Sequence, residues 1–263
     1  VFENGVPRTY PGVYSTDFVT TRANELIADA APSKQPFFMS VAFLAPHTGG
    51  PREPGDPTGF ATPHVAPQYK DAFASVALPT PPSFNEADMS DKPLALQARP
   101  PIGAVRAAKI QESYQQRLES LLSVDDGVAS ILKTLRDTGE LDDTLILFTS
   151  DNGFFHGEHR VPLGKLLAYE PSIRLPLYMR GPGVPRGETR RQLVTNADLA
   201  PTILDAAGVL PGRVQDGRSL FGLIDDPSIQ WGRELLLEGP GYAGLRNYRW
   251  KYVEHSTGEA ELY

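Results

Sequence analysis

A small set of residues in this 263-residue chain has the types and spacing that chemistry needs. Asp151-Asn152-Gly153 puts two adjacent oxygen-bearing side chains ahead of a glycine. Hard cations such as calcium and magnesium take carboxylate and amide oxygens, so the pair could supply two metal ligands. Two are too few for calcium, and the others would have to come from elsewhere. The same residues also read as a tight turn after a strand, because Asn-Gly is a common turn dipeptide. His47 follows Ala45-Pro46, and Lys165 follows Gly164. Imidazole can move a proton near neutral pH and an ammonium can hold an anion, yet alone each reads more simply as a structural histidine and a solvated charge. His156 and His159 stand three apart in a polar loop, where no helix is predicted to bring them to one face.

These residues need elements to hold them. Positions 16–30 predict a helix, with Thr16 or Asp17 as its cap and Val19, Ala23, Leu26, Ile27 and Ala30 at helical spacing. Pro32 and Pro36 then break the chain, and Phe37 to Phe43 reads as a strand buried on both faces that runs into His47. Twelve of the 25 prolines lie between Pro46 and Pro101, without a sustained period. The aromatic residues Phe60, Tyr69, Phe73 and Phe84 mark this stretch as an ordered excursion. An apolar stripe from Ile110 to Leu135 predicts a long helix over 106–138, stopped by Gly139 and open to interruption at Gly127. A short strand (144–149) follows and ends at the Asp151-Asn152 pair, then a Gly-rich loop (154–170) and a strand (175–179). The next helix (198–207) is expected to be capped by Asn196 or Asp198, and a Gly/Asp/Pro-rich linker (216–232) follows it. Strands at 234–238 and 249–254 have no helix between them and suggest a small antiparallel unit.

Helices alternating with apolar strands argue for an α/β fold whose mostly parallel sheet is covered by helices. In such sheets ligands bind outside the carboxyl ends of the strands. His47 and Asp151-Asn152 each follow a predicted strand, which would put them on one edge.

The formal net charge is −7 and the sequence pI about 5.3, with Lys and Arg scattered. Nucleic acid and anionic membrane surfaces both require a basic face, so neither is an expected partner. No apolar run approaches the roughly 18 residues of a membrane span. Cysteine is absent, which excludes disulfides and thiolate metal sites. The chain opens at Val1 rather than Met and stops at Tyr263 without a cap, so both ends read as cut. No address for a compartment is readable, and nothing indicates an oligomeric state.

The run from Phe148 to Arg160, then Gly164-Lys165 and Tyr169-Glu170-x-Ser172-Ile173-Arg174-x-Pro176-Leu177, resembles the second signature region of the formylglycine-dependent sulfatases. Pro36-Phe37-Phe38 leading to Ala45-Pro46-His47 is similar to the family's PFF…APH segment. Asn196-x-Asp198-Leu199-Ala200-Pro201-Thr202, Asp216-Gly217-Arg218-Ser219-Leu220, Gly244-Leu245-Arg246 and Lys251-Tyr252 match in the same order. Ser83 to Asp88 with Ser90-Asp91-Lys92-Pro93 looks most like the N-acetylglucosamine-6-sulfatase-like members.

The resemblance implies an alkaline-phosphatase-like core over 1–222, lacking its first strands, and the start of a C-terminal antiparallel subdomain over 233–263. It implies hydrolysis of a sulfate ester, either a small molecule or a glycan, with an amino sugar as the expected carrier. By position, Asp151 and Asn152 would be calcium ligands and Lys165 would bind sulfate oxygens. His47 would contact the ester and protonate the leaving oxygen. His159 would support substrate binding, and Arg174 would be chiefly structural. The family's nucleophile is a formylglycine made from Cys or Ser in a Cys/Ser-x-Pro-x-Arg motif, which this chain lacks. The paired Asp ligands, and a Lys and a His between nucleophile and His47, are missing as well. All are expected upstream of residue 1, and the closing strands and helix after Tyr263, so the chain alone is expected to be inactive. His156 departs from the family, which usually carries Leu there. By family, a secreted, periplasmic or lysosome-like compartment is expected. A phosphodiesterase or phosphonate hydrolase of the same superfamily is one alternative, and a non-catalytic binder of sulfated glycans is another.

Overall fold

The computed structural model describes every residue from Val1 to Tyr263. Its elements in chain order are strands β1 (Phe2–Glu3) and β2 (Val6–Pro7), helices α1 (Ser15–Ala30), α2 (Leu94–Gln97) and α3 (Ala104–Asp137), strand β3 (Ile146–Thr149), helix α4 (Glu170–Ile173), strand β4 (Leu177–Arg180), helices α5 (Leu199–Ala206) and α6 (Phe221–Asp225), then strands β5 (Leu235–Gly239), β6 (Tyr242–Arg246), β7 (Lys251–His255) and β8 (Ala260–Leu262). Two compact units result: Val1–Pro79 with Gly103–Asp142, and Thr80–Ile102 with Asp143–Tyr263. No helix is long and apolar enough to cross a membrane.

The first unit is built on α1 against α3. Thr16, Thr20, Ala23 and Ile27, three and four apart, form the buried face of α1. Neither expected cap serves: Tyr14 precedes the helix without a side-chain cap, and Thr16 is turned fully inward. Asp17 stays exposed in the first turn, where a negative charge suits the helix dipole. α3 runs unbroken through Gly127 over 34 residues. Gly127 interrupts nothing because it is there for packing. A Cβ at that position would come within 2.6 Å of Thr20 Oγ1 and 3.2 Å of Phe43 Cζ. Gly139 ends the helix at φ 79°, as expected. Part of the proline-rich stretch is held by α3 side chains. Gln115 Nε2 donates to Ala74 O (2.9 Å) and Val76 O (2.8 Å), and Glu119 accepts from Phe73 N (3.1 Å).

Phe37 to Phe43 is not a strand. It pairs with no segment of the chain, and Phe38 is 73% exposed. A strand buried on both faces needs a ladder partner for its N–H and C=O groups, and this chain offers none there. The shared-edge argument for His47 therefore loses its premise.

In the second unit β3 pairs with β4, and β5-β6-β7-β8 form a four-stranded sheet. Every ladder within the chain is antiparallel. A parallel pair is usually linked by a crossover helix, whereas the connection between β3 and β4 holds only the four-residue α4. The sequence reading found β5 and β7 and missed β6 and β8. Asp198 stands at the N-cap of α5, one of the two positions expected, but its side chain makes no cap bond to that helix, and Thr195 caps the 3-10 turn Asn196–Asp198 that leads into it. Asp198 instead completes a capping box, with its carboxylate taking Thr195 N (2.8 Å), Arg218 N (2.8 Å) and Arg233 Nη1 (2.7 and 2.8 Å). The supposed linker at 216–232 is thus tied down, and Leu220, Leu223 and Trp231 form a core cluster.

A second cluster joins Met89, Leu96, Phe155, Val161 and Tyr169. Beside it Glu261, 6% exposed, accepts from Tyr169 Oη (2.6 Å), Tyr263 Oη and His255 Nε2 (2.5 Å). Lys251 Nζ donates to Ala168 O at 2.8 Å and lies 5.1 Å from the Tyr169 ring and 4.9 Å from that of Tyr263. Burial lowers the pKa of Lys251, and burial followed by the Glu261 hydrogen bond raises that of Tyr169.

Two stability predictions follow from this packing. Gly127→Val should overpack the α1–α3 contact and cost about 1–3 kcal/mol in urea unfolding, whereas an unchanged midpoint would remove the packing argument. Glu261→Gln leaves the buried Lys251 short of a counter-charge and should cost about 3 kcal/mol, against about 1 kcal/mol for Tyr169→Phe, which deletes one donor. Equal losses would mean that the charge of Glu261 is immaterial.

Candidate functional site

β3 delivers the acidic pair, and α4 locks it. Past the end of β3, Ser150 Oγ donates to Asn152 O (2.9 Å) and Gly153 N donates to Ser172 O (2.8 Å). Gly153 is demanded by closeness, since a Cβ there would lie 2.1 Å from Pro171 O. Asn152-Gly153 closes no hairpin. The Asp151 carboxylate is exposed and takes no hydrogen bond, while its main-chain carbonyl accepts from Asn196 Nδ2 at 3.3 Å. Asn152 Nδ2 donates to Gly153 O (2.7 Å), which leaves Oδ1 as a hard oxygen donor. The donor set fits calcium in chemistry but supplies only part of its shell. No group of three or more His, Cys, Asp or Glu residues elsewhere could hold a metal.

Lys165 is half-buried and directly follows a bridge in which Phe155 N donates to Gly164 O at 2.8 Å. Its carbonyl accepts from Ser172 Oγ, and its ammonium has no ion-pair or hydrogen-bond partner. Ser172 therefore serves both site segments. Its carbonyl holds Gly153, next to the acidic pair, and its hydroxyl holds Lys165.

His159 sits at the tip of a tight loop closed by Gly157 N to Val161 O (2.9 Å). Its φ of 50° and the 56° of Arg160 are left-handed, unusual for successive non-glycine residues. The neighbouring segment 80–102 holds them there. His159 N donates to Ser83 O (2.7 Å), and its Nδ1 meets Glu86 Oε2 at 2.7 Å, so Nδ1 carries the proton. Arg160 donates to the carbonyls of Glu86 (2.9 Å), Arg99 (3.1 Å) and Ala87 (2.8 Å). The His159 ring packs 4.5 Å from that of Tyr169. Phe84 covers Gly157, where a Cβ would come within 2.3 Å of its ring. His156 donates its main-chain N–H to Glu158 (2.7 Å) with its ring 5.3 Å from Phe154, and the pair 156/159 brings no metal geometry. Arg174 N–H closes α4 on Glu170 O (2.9 Å) with its side chain exposed.

His47 belongs to the first unit. It is exposed, and its Nδ1 lies 2.8 Å from Thr48 O. A carbonyl only accepts, so Nδ1 holds a proton and Nε2 is the ring atom free to exchange one.

Asp151, Asn152, His159 and Lys165 all lie in the second unit. Sequence reasoning missed Ser172 and Glu86 as supports. Ser172 stood inside a matched motif and could have been found there. Glu86 is 73 residues from His159, and no local signal links them.

A family model described as Sulfatase matches residues 3–209. The chain is 36% identical over 243 residues to human N-acetylglucosamine-6-sulfatase, covering 90% of this chain and 42% of the relative. It thus spans less than half the length of that relative. A protein solved in complex with its substrate, D-glucosamine-2-N,6-O-disulfate, superposes with a TM-score of 0.74 at 23% identity, covering 95% of this chain and 63% of that one. The phosphonate monoester hydrolase of Agrobacterium radiobacter gives a TM-score of 0.72 at 24% identity, over 95% of this chain and 55% of that one. These likenesses show the alkaline-phosphatase-like α/β fold expected from the sequence. The chain belongs to the sulfatase family.

Proposed function

We propose that the protein carrying this chain hydrolyses sulfate esters on sulfated amino sugars or glycans. The observation that carries the reading is the uncommitted, half-buried ammonium of Lys165, fixed through Ser172 to the same turn as Asp151-Asn152. A sulfate ester is a compact anion, and catalysis needs fixed positive charge where negative charge develops. Lys165 provides it in a chain of net charge −7. The amino-sugar preference rests on the human relative's name and on the substrate of the solved neighbour.

In this reading Asp151 and Asn152 give two oxygens to calcium, which supplies charge stabilisation at the sulfate oxygens when bound. His47 uses Nε2–H of its protonated ring to donate to the departing alcohol oxygen. His159, held in one tautomer by Glu86, supports the substrate side through Nε2. The formylglycine nucleophile belongs to a Cys/Ser-x-Pro-x-Arg segment outside this chain. Residues 1–222 form part of the catalytic core and 233–263 begin the C-terminal subdomain. The solved phosphonate hydrolase keeps a second reading in view, a phosphonate or phosphodiester substrate on the same framework.

The chain alone should show no turnover of aryl sulfates, with or without calcium; measurable hydrolysis would remove the need for the external nucleophile. In the full-length protein, Asp151→Asn should lower calcium affinity and turnover together, with partial rescue by extra calcium. Lys165→Ala should damage both KM and kcat for sulfate esters. If phosphonate turnover exceeds sulfate turnover in the unaltered protein, the second reading replaces the first. His47→Ala should lower kcat roughly 100- to 10,000-fold for a sugar sulfate, the usual worth of a general acid. The loss should shrink for aryl sulfates with acidic phenols, which leave without a proton. Equal losses on both substrates would make His47 a sulfate-binding residue instead.

A further inference from the structure

The chain contains two Asn-Gly pairs, Asn4-Gly5 and Asn152-Gly153, in opposite circumstances. Asn-Gly is chemically labile because glycine leaves its main-chain nitrogen unshielded by a side chain. After losing its proton, that nitrogen can attack the asparagine Cγ. The Cγ–Nδ2 bond then breaks, the amide leaves as ammonia, and a cyclic succinimide forms. Water opens either carbonyl of the ring to give aspartate or isoaspartate, so the balance is water in and ammonia out. No other reactant is needed.

At Asn4-Gly5 no packing opposes this reaction. Both residues are exposed at the tip of the β1–β2 hairpin, with φ of 50° and 81°, and no atom lies within 4 Å of where a Gly5 Cβ would stand. At Asn152-Gly153 the attacking nitrogen is already engaged, donating to Ser172 O at 2.8 Å. Pro171 O packs against the glycine, 2.1 Å from the position of a Cβ, so the backbone there has little room to move. The departing amide is itself held on Gly153 O at 2.7 Å. Ser172 is 3% exposed, with its hydroxyl pinned to Lys165 O and its N–H donating to Tyr169 O at 2.8 Å.

We propose that Asn152-Gly153 is a gated self-modification site, and that the Pro171-Ser172 turn is the gate that keeps it intact. Opening of that turn lets Asn152 cyclise. Aspartate would then stand where the amide was, beside Asp151. Isoaspartate would lengthen the backbone at a glycine with no room to shift. The gate rests on geometry alone. Its consequence for metal binding rests on the proposed function.

The test is peptide mapping by mass spectrometry of the chain as it stands, incubated at mildly alkaline pH with a chelator present. The chelator keeps the result independent of calcium, so failure here leaves the sulfatase reading untouched. In the folded chain Asn152 should convert about tenfold or more slowly than Asn4, the factor given by an opening cost of one net hydrogen bond. In urea the two rates should converge. Ser172→Ala frees the turn from Lys165 and should raise the Asn152 rate while leaving Asn4 unchanged. Should that variant not fold, sub-denaturing urea applied to the unaltered chain should accelerate Asn152 alone. Equal rates at the two sites in the folded chain would overturn the proposal. An Asn152 rate that neither Ser172→Ala nor sub-denaturing urea raises would overturn it as well.

Discussion

Ser172 is the point on which the candidate site hangs, because one buried residue uses two of its polar groups for two separate segments. Its carbonyl takes the N–H of Gly153, and its hydroxyl donates to the carbonyl of Lys165. Buried polar groups left without partners are costly, so each bond resists being given up. The oxygen pair after β3 and the cation after the Phe155–Gly164 bridge thereby acquire a common frame. The frame needs Gly153, since any side chain there would collide with Pro171 O. It also needs α4 to begin at Glu170, immediately after Tyr169, whose hydroxyl is anchored on Glu261.

That anchor explains what the C-terminal sheet does for the loop. β7 supplies Lys251 to the carbonyl of Ala168, and β8 supplies Glu261 to the hydroxyl of Tyr169. Two buried lysines, Lys92 and Lys251, lie against the Tyr169 and Tyr263 rings. Charges so withdrawn from water persist only when paired or hydrogen-bonded, and each of these is. The loop that carries Lys165 is therefore steadied by bonds to strands some 80 to 95 residues away in sequence. Segment 80–102 steadies it from another direction through Ser83, Phe84 and Glu86, where it holds His159 and Arg160 in a backbone conformation that neither residue favours.

Much of this was legible in the sequence, and the failures share a cause. Helices α1, α3 and α5 announced themselves by period and by proline or glycine stops, since a helix satisfies its own backbone. β3, β4, β5 and β7 were found within a few residues. Phe37 to Phe43 has the composition of a central strand, but a strand exists only with a partner, and composition cannot supply one. β6 escaped notice because Gly244 and Ala243 dilute its apolar pattern, and β8 because it is three residues long. Within the site, Asp151, Asn152 and Lys165 were picked out by residue type and motif. Ser172 and Glu86 act through a carbonyl and a distant pairing, which no residue-type pattern encodes.

Under the proposed function, charge decides how an acidic chain would hold a sulfate. In the second unit most partly buried cations are already spent on the fold. Lys92 pairs with Asp91, Lys251 binds a carbonyl, Arg160 binds three, Arg190 binds two, and Arg233 grips the buried Asp198. A cation so engaged is held in place by the fold. Lys165 differs: its backbone is fixed while its ammonium is not. Fixing the stem and leaving the head free is what a binding lysine requires, because the entropy of ordering the loop is already met before the anion arrives.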